Sequence, residues 1–324
     1  MLTSTLAPQA APTPPAGDKY AMLLARCEGL PPIPTAVVHP CDYASLDGAL
    51  EAARLGLIVP LLVGPAARIR QVAAEHGLPL GDIPILDAPH SHAAAARAVE
   101  AVRAGKAELL MKGSLHSDEL LHAVAASSSG LRTGRRLSHV FAMDVPNYHK
   151  PLFITDAAVN IFPTLNDKAD IVRNAIDLLH VLGIERPKVA ILSAVETVTD
   201  KIPSTLDAAA LCKMSERGQI EGGILDGPLA FDNAISKAAA ETKGIKSEVA
   251  GDPDILLVPD LEAGNMLAKQ LTFLAGAEAA GIVLGARVPI ILTSRADSVR
   301  ARIASCAIAV LVAHARRTAP AVPA

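Results

Sequence analysis

Short apolar runs alternate with longer amphipathic segments along almost the whole chain. Runs such as 58–63 and 188–192 are rich in Val, Ile and Leu, as expected of strands that helices cover on both faces of a sheet. The segments 66–76 and 261–274 carry apolar residues at helical spacing instead. This alternation predicts an α/β fold with mainly parallel sheets.

The length of the chain allows more than one core. With 324 residues it is long enough for two domains of ordinary size. Residues 1–17 are rich in Pro, Ala and Thr, which predicts a disordered tail rather than a signal peptide. We find no long flexible linker after this tail, so the sequence places a domain boundary between Asn160 and Pro187.

Composition excludes several classes of function. A net charge of −3 gives no broad electrostatic footprint for nucleic acid, and with 2% aromatic residues there are few platforms for stacking bases. The apolar run 303–313 is too short to cross a bilayer. Four widely spaced cysteines form no C-x-x-C pair, which favours a reducing compartment and a cytoplasmic protein.

Familiar cofactor and nucleophile motifs are missing from the sequence. We find no G-x-G-x-x-G, no G-x-x-x-x-G-K-[ST] and no G-x-S-x-G, so dinucleotide, P-loop and α/β-hydrolase functions lack their motif. His90 and His92 are spaced as a pair of metal ligands could be, but they have no third ligand nearby in the sequence. A solvated loop is therefore the preferred interpretation of this pair.

Polar residues follow several of the predicted strands. Lys112 and Gly113 end one strand, Asp156 and Asn160 follow another, and Ser193 follows a third. Carboxyl ends of parallel strands meet at one edge of a sheet, where ligands bind in open α/β proteins. Each residue taken singly is a turn or cap residue. Their recurrence predicts a common cleft.

The C-terminal segment contains the densest group of such residues. The apolar run 288–293 predicts a strand, and 299–317 has helical periodicity. Ser294, Arg295 and Asp297 therefore lie at a helix N-terminus, where free N–H groups bind anions. This favours a site for a phosphorylated substrate, although Asp297 or Ser298 could equally serve as the N-cap of the helix.

Several short segments, taken together in their order and spacing, resemble the phosphate acetyltransferase/phosphate butyryltransferase family. The resemblance runs from about Tyr20 to the C-terminus. The segments that carry it are 110–113 (Leu-Met-Lys-Gly), 137–140 (Leu-Ser-His-Val), 154–158 (Ile-Thr-Asp-Ala-Ala), 188–193 (Lys-Val-Ala-Ile-Leu-Ser), 226–229 (Asp-Gly-Pro-Leu) with Asp232, 258–260 (Val-Pro-Asp) with Gly264 and Asn265, and Ser294-Arg295.

The resemblance implies a fold and a reaction. The implied fold has two three-layer α/β domains like those of isocitrate and isopropylmalate dehydrogenases, with the active site in the cleft between them. The first domain would comprise residues 18–160 and 286–324, and the second 161–285. The implied reaction is reversible transfer of a short acyl group between coenzyme A and phosphate in a homodimer. Coenzyme A is a substrate, and neither a metal nor a permanently bound cofactor is implied.

The resemblance also implies roles for individual residues. Ser294 would hydrogen-bond the thiol or the oxyanion, Arg295 would stabilise the oxyanion, and Asp297 is the candidate base. The acetyl branch of the family has its presumed base seven residues after the serine, but that position here is Ala301. The predicted substrate-binding residues are Lys112, Gly113, Asp156, Asn160, Asp226, Gly264 and Asn265.

Three alternatives remain open at this stage. The Ser-Arg-Ala-Asp-Ser element resembles the butyryl branch, whereas acetyl transfer is the commoner activity of such chains. A nicotinamide-dependent dehydrogenase on a similar fold would need acidic metal ligands and a cofactor loop, and neither is evident. A non-catalytic binding protein that lost its base is favoured by Ala301 and opposed by Ser294-Arg295 and Lys112-Gly113.

Overall fold

The fold is an α/β structure built around a mixed sheet. The computed structural model describes residues 18–294 and 297–318. Its strands are β1 (Ile33–Val38), β2 (Ile58–Gly64), β3 (Ile85–Asp87), β4 (Leu109–Lys112), β5 (Ser138–Asp144), β6 (Leu152–Thr155), β7 (Lys188–Leu192), β8 (Ile224–Leu229), β9 (Ile255–Leu257), β10 (Glu278–Leu284) and β11 (Ile290–Ile291). Its helices are α1 (Asp18–Ala25), α2 (Tyr43–Arg54), α3 (Ala66–His76), α4 (Ser91–Arg103), α5 (Ser117–Ala125), α6 (Leu165–Val181), α7 (Pro203–Glu216), α8 (Phe231–Ile235), α9 (Lys237–Thr242), α10 (Leu261–Leu274) and α11 (Val299–Thr318).

Local sequence signals set several of these boundaries. Thr164 and Asp167 form a capping box at the start of α6, and Gly183 just beyond its end has a left-handed backbone (φ 80°). Asp260 caps α10 by accepting a 2.9 Å hydrogen bond from the Ala263 N–H. In the sequence, the amphipathic run 167–182 followed by Gly183 predicts a helix that ends there, and the spacing of 261–274 predicts a second helix. Both helices are confirmed.

Other elements differ from the prediction. The apolar spacing of 229–242 predicts one helix. The segment instead forms α8 and α9, because Ser236 is extended and caps α9 by accepting a hydrogen bond from the Ala239 N–H. We did not predict α1, β3 or β10. The first half of β10 is Glu-Ala-Ala-Gly, which lacks the β-branched and aromatic residues that mark a strand.

Strand direction reverses in the middle of the sheet. In the part of the chain described, the order is β3-β2-β1-β4-β11-β10-β5-β6-β9-β7-β8. Strands β3, β2, β1, β4 and β11 are parallel, and so are β6, β9, β7 and β8. The pairs β11–β10, β10–β5 and β5–β6 are antiparallel, so β6 and its parallel neighbours run opposite to β4 and β11.

This reversal corrects one expectation from the sequence. Lys112 at the end of β4 and Asp156 after β6 do not follow strands that point to the same edge of the sheet. The single-edge expectation is wrong because the apolar pattern of a strand does not specify its direction, and because β10 adds an antiparallel neighbour that we did not predict.

Helices cover both faces of the sheet, which gives three layers. On β1, Val37 belongs to a core cluster with α2, α3, α6, α7 and α11, whereas Ala36 and Val38 belong to a cluster with α4 and α5. A third cluster lies beneath α8, α9 and α10. The predicted α/β class with mainly parallel pairing is confirmed.

The division into two domains stays a prediction. The sheet is continuous, and β5 and β6, from the predicted first domain, pair with β10 and β9 of the predicted second. The predicted tail, 1–17, lies outside the described residues. None of the helices within 18–294 and 297–318 has the length and apolar character that a bilayer crossing requires.

Candidate active site

Ser294 and Asp297 close a tight turn between β11 and α11. The Ser294 N–H donates to Oδ2 of Asp297 at 2.6 Å, and the Asp297 N–H donates to the Ser294 carbonyl at 3.2 Å. Helix α11 is capped by Ser298, whose Oγ accepts a 3.1 Å hydrogen bond from the Ala301 N–H. Of the two caps that the sequence allowed, Ser298 is therefore the one formed. Arg295, the third predicted catalytic residue, lies outside the described residues.

The Asp297 carboxylate is partly buried and lies near two cations. Burial raises its pKa above the ordinary value, and the hydrogen bond from Ser294 and the charges of Arg302 and Lys112 offset part of this rise. A carboxylate with a raised pKa accepts a proton more readily than an exposed one. The turn therefore presents a candidate general base beside the Ser294 backbone.

Arg302 supports this turn from inside the protein, and the sequence did not point to it. Its Nη1 donates to Oγ1 of Thr293 at 2.9 Å, and its Nη2 donates to the Ser294 carbonyl at 2.8 Å. The residue is only 3% exposed. An arginine in an amphipathic helix is expected to face solvent, so no sequence signal marked it.

Lys112 and Gly113 lie where β4 ends, beside β11. The Lys112 side chain is buried, with Nζ 3.5 Å from the Gly113 carbonyl, and its charge reaches Asp297. A Cβ at Gly113 would overlap the carbonyl oxygen of Val38. Glycine is thus required for the chain to leave β4 against β1. The structure brings Lys112 and Asp297 together, as predicted for a common cleft.

A second group of predicted residues forms the loop after β6. The buried Asp156 carboxylate accepts hydrogen bonds from the N–H groups of Ala158 (2.9 Å), Val159 (3.0 Å) and Asn160 (3.2 Å) and from Nδ2 of Asn160 (2.6 Å). Oδ1 of Asn160 accepts a 2.7 Å hydrogen bond from Nε of Arg136. Both oxygens of Asp156 therefore stabilise the loop, and Asn160 hydrogen-bonds both Asp156 and Arg136.

Gly264 and Asn265 hold the same loop from helix α10. Nδ2 of Asn265 donates to the Ala157 carbonyl at 3.1 Å. A Cβ at Gly264 would lie 2.7 Å from Cγ2 of Val258 and 3.1 Å from Cα of Ala157, so only glycine allows this close approach. Both predicted residues thus lie beside the Asp156 loop.

The Asp156 loop lines a large cavity. Its volume is about 890 Å³, within the usual range for ligand sites. Helix α5, with His122, forms one wall, and the segment 132–137 forms another. The arginines of that segment are not among the residues predicted for the site. The basic side chains on it are Arg132, Arg135 and Arg136.

Some of these arginines also make ion pairs. Nη1 of Arg135 is 2.6 Å from Oδ2 of Asp177, and Nη1 of Arg136 is 3.3 Å from Oδ1 of Asp167. The Arg136 side chain nevertheless remains half exposed. A concave surface with a cluster of guanidinium groups is suited to a phosphorylated ligand. The clustering of three arginines within five residues was the sequence signal that could have found them.

His139 on β5 lies between the two groups. It is fully buried, and neither ring nitrogen has a hydrogen-bond partner within the described parts of the chain. Burial lowers its pKa to about 4, although the Asp156 charge and the nearby Leu292 carbonyl act in the opposite direction. The Asp156 charge and the Leu292 carbonyl, at the end of β11, thus both act on the electrostatics of this ring.

Asp226 and Ala301 do not line the 890 Å³ cavity. Asp226 is on β8, the outermost strand, separated from β6 by β9 and β7, and its Oδ1 accepts a 2.9 Å hydrogen bond from the Gly227 N–H. Ala301, at the position of the base in the acetyl branch, is buried. It lines a separate apolar cavity of about 570 Å³ with Tyr20 and Phe153.

The two histidines lie at the start of α4 rather than in a loop. Nδ1 of His90 accepts a 3.3 Å hydrogen bond from the Ala93 N–H and so caps α4, and His92 is an exposed residue of the same helix. Within 18–294 and 297–318, no group of three or more His, Cys, Asp or Glu side chains is arranged to hold a metal ion.

Known proteins resemble this chain in sequence and fold. A family model described as phosphate acetyl/butaryl transferase matches residues 90–310. A phosphate acetyltransferase of Rhizobium meliloti is 67% identical over 302 residues, which cover 93% of this chain and 96% of that protein. A phosphate butyryltransferase of Clostridium acetobutylicum is 44% identical over 272 residues, covering 84% and 90% of the two chains.

A solved structure has the same fold. The crystal structure of a branched-chain phosphotransacylase from Enterococcus faecalis V583 superposes with a TM-score of 0.73 at 28% sequence identity. The match covers 86% of this chain and 99% of that one. The sequence and the structure comparisons therefore both match this chain to phosphate acyltransferases.

Proposed function

The chain belongs to the phosphate acetyl/butaryl transferase family and is a phosphate acyltransferase, and we propose that its two substrates meet beside the Ser294–Asp297 turn. The reaction is the reversible transfer of a short acyl group between coenzyme A and phosphate. The observation that carries the activity is the 67% identity to a phosphate acetyltransferase over 93% of the chain.

Acetyl is the acyl group that we propose. The relative at 67% identity is a phosphate acetyltransferase, whereas the butyryltransferase of Clostridium acetobutylicum is 44% identical. One methylene group in an apolar pocket changes the free energy of binding by only about 1–3 kcal/mol. Butyryl phosphate is therefore expected to react as well, at a lower kcat/KM.

Asp297 is the proposed base. In the direction of acyl-CoA synthesis, the coenzyme A thiol gives its proton to the Asp297 carboxylate, and the thiolate attacks the carbonyl carbon of the acyl phosphate. A C–S bond forms, the C–O bond to the phosphoryl group breaks, and phosphate leaves. The raised pKa of Asp297 and its position two residues from Arg295 support this assignment.

Ser294 and Arg295 are proposed to stabilise charge as it develops. The Ser294 hydroxyl would donate a hydrogen bond to the thiolate or to the oxyanion of the tetrahedral intermediate, and the Arg295 guanidinium would contact the oxyanion. The buried Lys112, whose charge reaches Asp297, is proposed to bind the phosphoryl group together with the Gly113 backbone.

The 890 Å³ cavity is the proposed binding site for the coenzyme A phosphates. Its arginines would bind phosphate oxygens, and Asn160 would fix Arg136 through the 2.7 Å hydrogen bond. Asp156, Gly264 and Asn265 would contribute by holding the loop in shape. Substrate binding by Asp226 stays a prediction.

A homodimer is proposed on the evidence of an exposed apolar patch around α10. The α10 patch consists of Ile161, Phe162, Met266, Phe273 and Leu274, which are 57–85% exposed. Ile161 adjoins the start of the helix through the hydrogen bond from the Leu261 N–H to its carbonyl. Exposed apolar side chains of this size favour an interaction surface, and we propose that a second copy of the chain covers them.

The compartment is proposed from the cysteines. Cys27, Cys41, Cys212 and Cys306 are all free thiols, which favours a reducing environment. We propose that the protein works in the cytoplasm, where coenzyme A and acyl phosphates would be its soluble partners.

The test of the function is thiol consumption with coenzyme A and a series of acyl phosphates from acetyl to pentanoyl. We expect turnover with release of phosphate, and the highest kcat/KM with acetyl phosphate. A maximum at butyryl would overturn the acyl assignment alone. No turnover from folded protein across the series would overturn the assigned reaction.

A variant at Arg295 tests the proposed oxyanion site. Arg295→Ala should lower kcat by about 100-fold or more, as expected when a charged donor to an oxyanion is lost. The matched control is Arg54→Ala, an exposed arginine of α2 paired with Glu51, which should keep the wild-type rate. Near-normal turnover of Arg295→Ala would contradict the placement of the oxyanion.

A further inference from the structure

Arg302 is a buried cation whose hydrogen bonds go to the segment that carries Ser294. Nη1 bonds the hydroxyl of Thr293 and Nη2 bonds the Ser294 carbonyl, at 2.9 Å and 2.8 Å, while Nε has no partner within the described residues. Burying a guanidinium group is costly unless it is well bonded. A fold that retains it at 3% exposure therefore gains something from its position.

Helix α2 is shaped to leave room for this side chain. Gly48 lies in the interior of α2, where alanine would favour the helix. A Cβ at Gly48 would lie 2.7 Å from Cδ of Arg302. Since contacts below 3.0 Å are essentially never seen for a Cβ, any larger residue at position 48 would displace the arginine stem.

We propose that Arg302 is a positioning residue for acyl transfer: it fixes the Thr293–Ser294 backbone from behind and thereby holds the Asp297 carboxylate against the Ser294 N–H. The inference rests on the proposed function, in which Asp297 takes the thiol proton. Arg302 is buried and its hydrogen bonds go to Thr293 and Ser294, so the proposed role acts through the turn.

The charge of Arg302 also acts on Asp297. The described groups that face Asp297 are Arg302 from α11, Lys112 from β4 and the Ser294 N–H, and each of them favours the ionised carboxylate against the effect of burial. Cys306, one turn further along α11, is near Arg302, but burial raises its pKa to about 12, so it stays neutral. Removing the Arg302 charge would therefore raise the pKa of Asp297 further.

Variants at position 302 separate charge from geometry. The wild-type protein is first shown to turn over acyl phosphate, which tests the proposed function by itself. Arg302→Met should then lower kcat by about 100-fold, as when a reacting group is misplaced, and should move the acidic limb of the pH–kcat profile to higher pH. Arg302→Lys keeps the charge, so its acidic limb should stay near that of the wild type although kcat falls.

Gly48→Ala tests the same contact from the other helix. It leaves every residue of the turn unchanged, yet it should lower kcat because it displaces the Arg302 stem. In an Arg302→Ala background the same Gly48→Ala change should have no effect on kcat. The control is Arg54→Ala, an exposed change on the same helix, which should keep the wild-type kcat.

Thermal unfolding of each variant excludes a general loss of fold. An active wild type together with a folded Arg302→Met that keeps the wild-type kcat and acidic limb would overturn the inference. A lower melting temperature with an unchanged pH profile would also overturn it, because it would leave Arg302 as a purely structural residue.

Discussion

The Asp297 carboxylate accepts a 2.6 Å hydrogen bond from the Ser294 N–H, and the Ser294 carbonyl accepts a 3.2 Å hydrogen bond from the Asp297 N–H. This reciprocal pair ties the Asp297 carboxylate to the Ser294 backbone in the turn after β11. Because Ser298 caps α11, the Asp297 carboxylate is not needed to start the helix. The proposed role of Asp297 as a base can therefore be tested by mutation separately from the capping of α11.

Asp297→Asn should lower kcat by about 100-fold to 10,000-fold, the usual contribution of a general base. Burial raises the pKa of Asp297. As the pH is lowered, the wild-type kcat should therefore begin to fall at a higher pH than the ordinary pKa of an aspartate would give. The variant should lose that acidic limb. The measurement is kcat against pH with acetyl phosphate and coenzyme A.

Ser298→Ala is the control for this prediction. It removes the cap of α11 and should lower the free energy of unfolding by about 1 kcal/mol, without changing the shape of the pH profile. If Asp297→Asn kept the wild-type acidic limb, the base would have to be another group.

Arg136→Met should weaken substrate binding more than it slows the chemistry. The guanidinium lies on the 890 Å³ cavity and is held by Asn160 at 2.7 Å. A charge-assisted hydrogen bond is worth about 1.5–3 kcal/mol, so KM for coenzyme A should rise about tenfold or more while kcat changes little. Steady-state kinetics with varied coenzyme A measure both constants.

Arg68→Met serves as the comparison, because Arg68 is an exposed residue of α3 with only a 3.9 Å contact to Glu75. It should leave KM at the wild-type value. An unchanged KM in Arg136→Met as well would place the coenzyme A phosphates outside the cavity.

Much of the fold and part of the site could be read from the sequence. The alternation of apolar runs and amphipathic segments gave elements such as α3, β7 and α10 close to their observed bounds, because these elements follow local periodicity and caps. Strand direction could not be predicted. Lys112 and Asp156 each follow an apolar run, and the composition of such a run does not depend on the direction of the strand in the sheet. Pairing of β5 with the unpredicted β10 sets that direction.

Ser294 and Asp297 could be selected because they form a local motif, whereas Arg302 could not, because tertiary packing places it at the site. Ser294 and Asp297 are three residues apart, so a strand-to-helix junction suffices to bring them together. Arg302 and Gly48 are joined only when α2 packs against α11. An arginine and a glycine in separate helical segments carry no signal of this contact, since each is ordinary in its own sequence context.

Phe273→Glu should weaken self-association through the α10 patch. Phe273 is 76% exposed and lies seven residues from Met266, so both side chains are on one face of the helix. A carboxylate in an apolar interface is costly to bury. Sedimentation should therefore shift from dimer towards monomer, with the helical signal in circular dichroism unchanged.

Glu221→Gln, an exposed change in the loop between α7 and β8, is the reference for the sedimentation experiment. It should sediment as the wild type does. A wild-type protein that is monomeric at micromolar concentration would exclude this dimer, and an unaltered dimer in Phe273→Glu would place the interface elsewhere.

His139→Gln should remove a specific part of the pH dependence of stability. Burial lowers the pKa of His139 to about 4 from an ordinary value of 6.5, so the imidazole stays neutral in the folded protein over that interval. The unfolded chain binds a proton there that the folded chain does not, and the free energy of unfolding must fall as the pH falls from 6.5 to 4. The difference in pKa corresponds to about 3 kcal/mol. Denaturant unfolding across this interval should therefore show a smaller change in the variant than in the wild type.

His76→Gln, a change of an exposed histidine at the end of α3, should leave the wild-type slope unchanged. Equal slopes in wild type and His139→Gln would mean that His139 becomes protonated in the folded state without cost. That outcome would require a partner for the ring nitrogens of His139. Asp156 and the Leu292 carbonyl are the groups that favour its protonated form, so the protonated ring would then form an ion pair with Asp156.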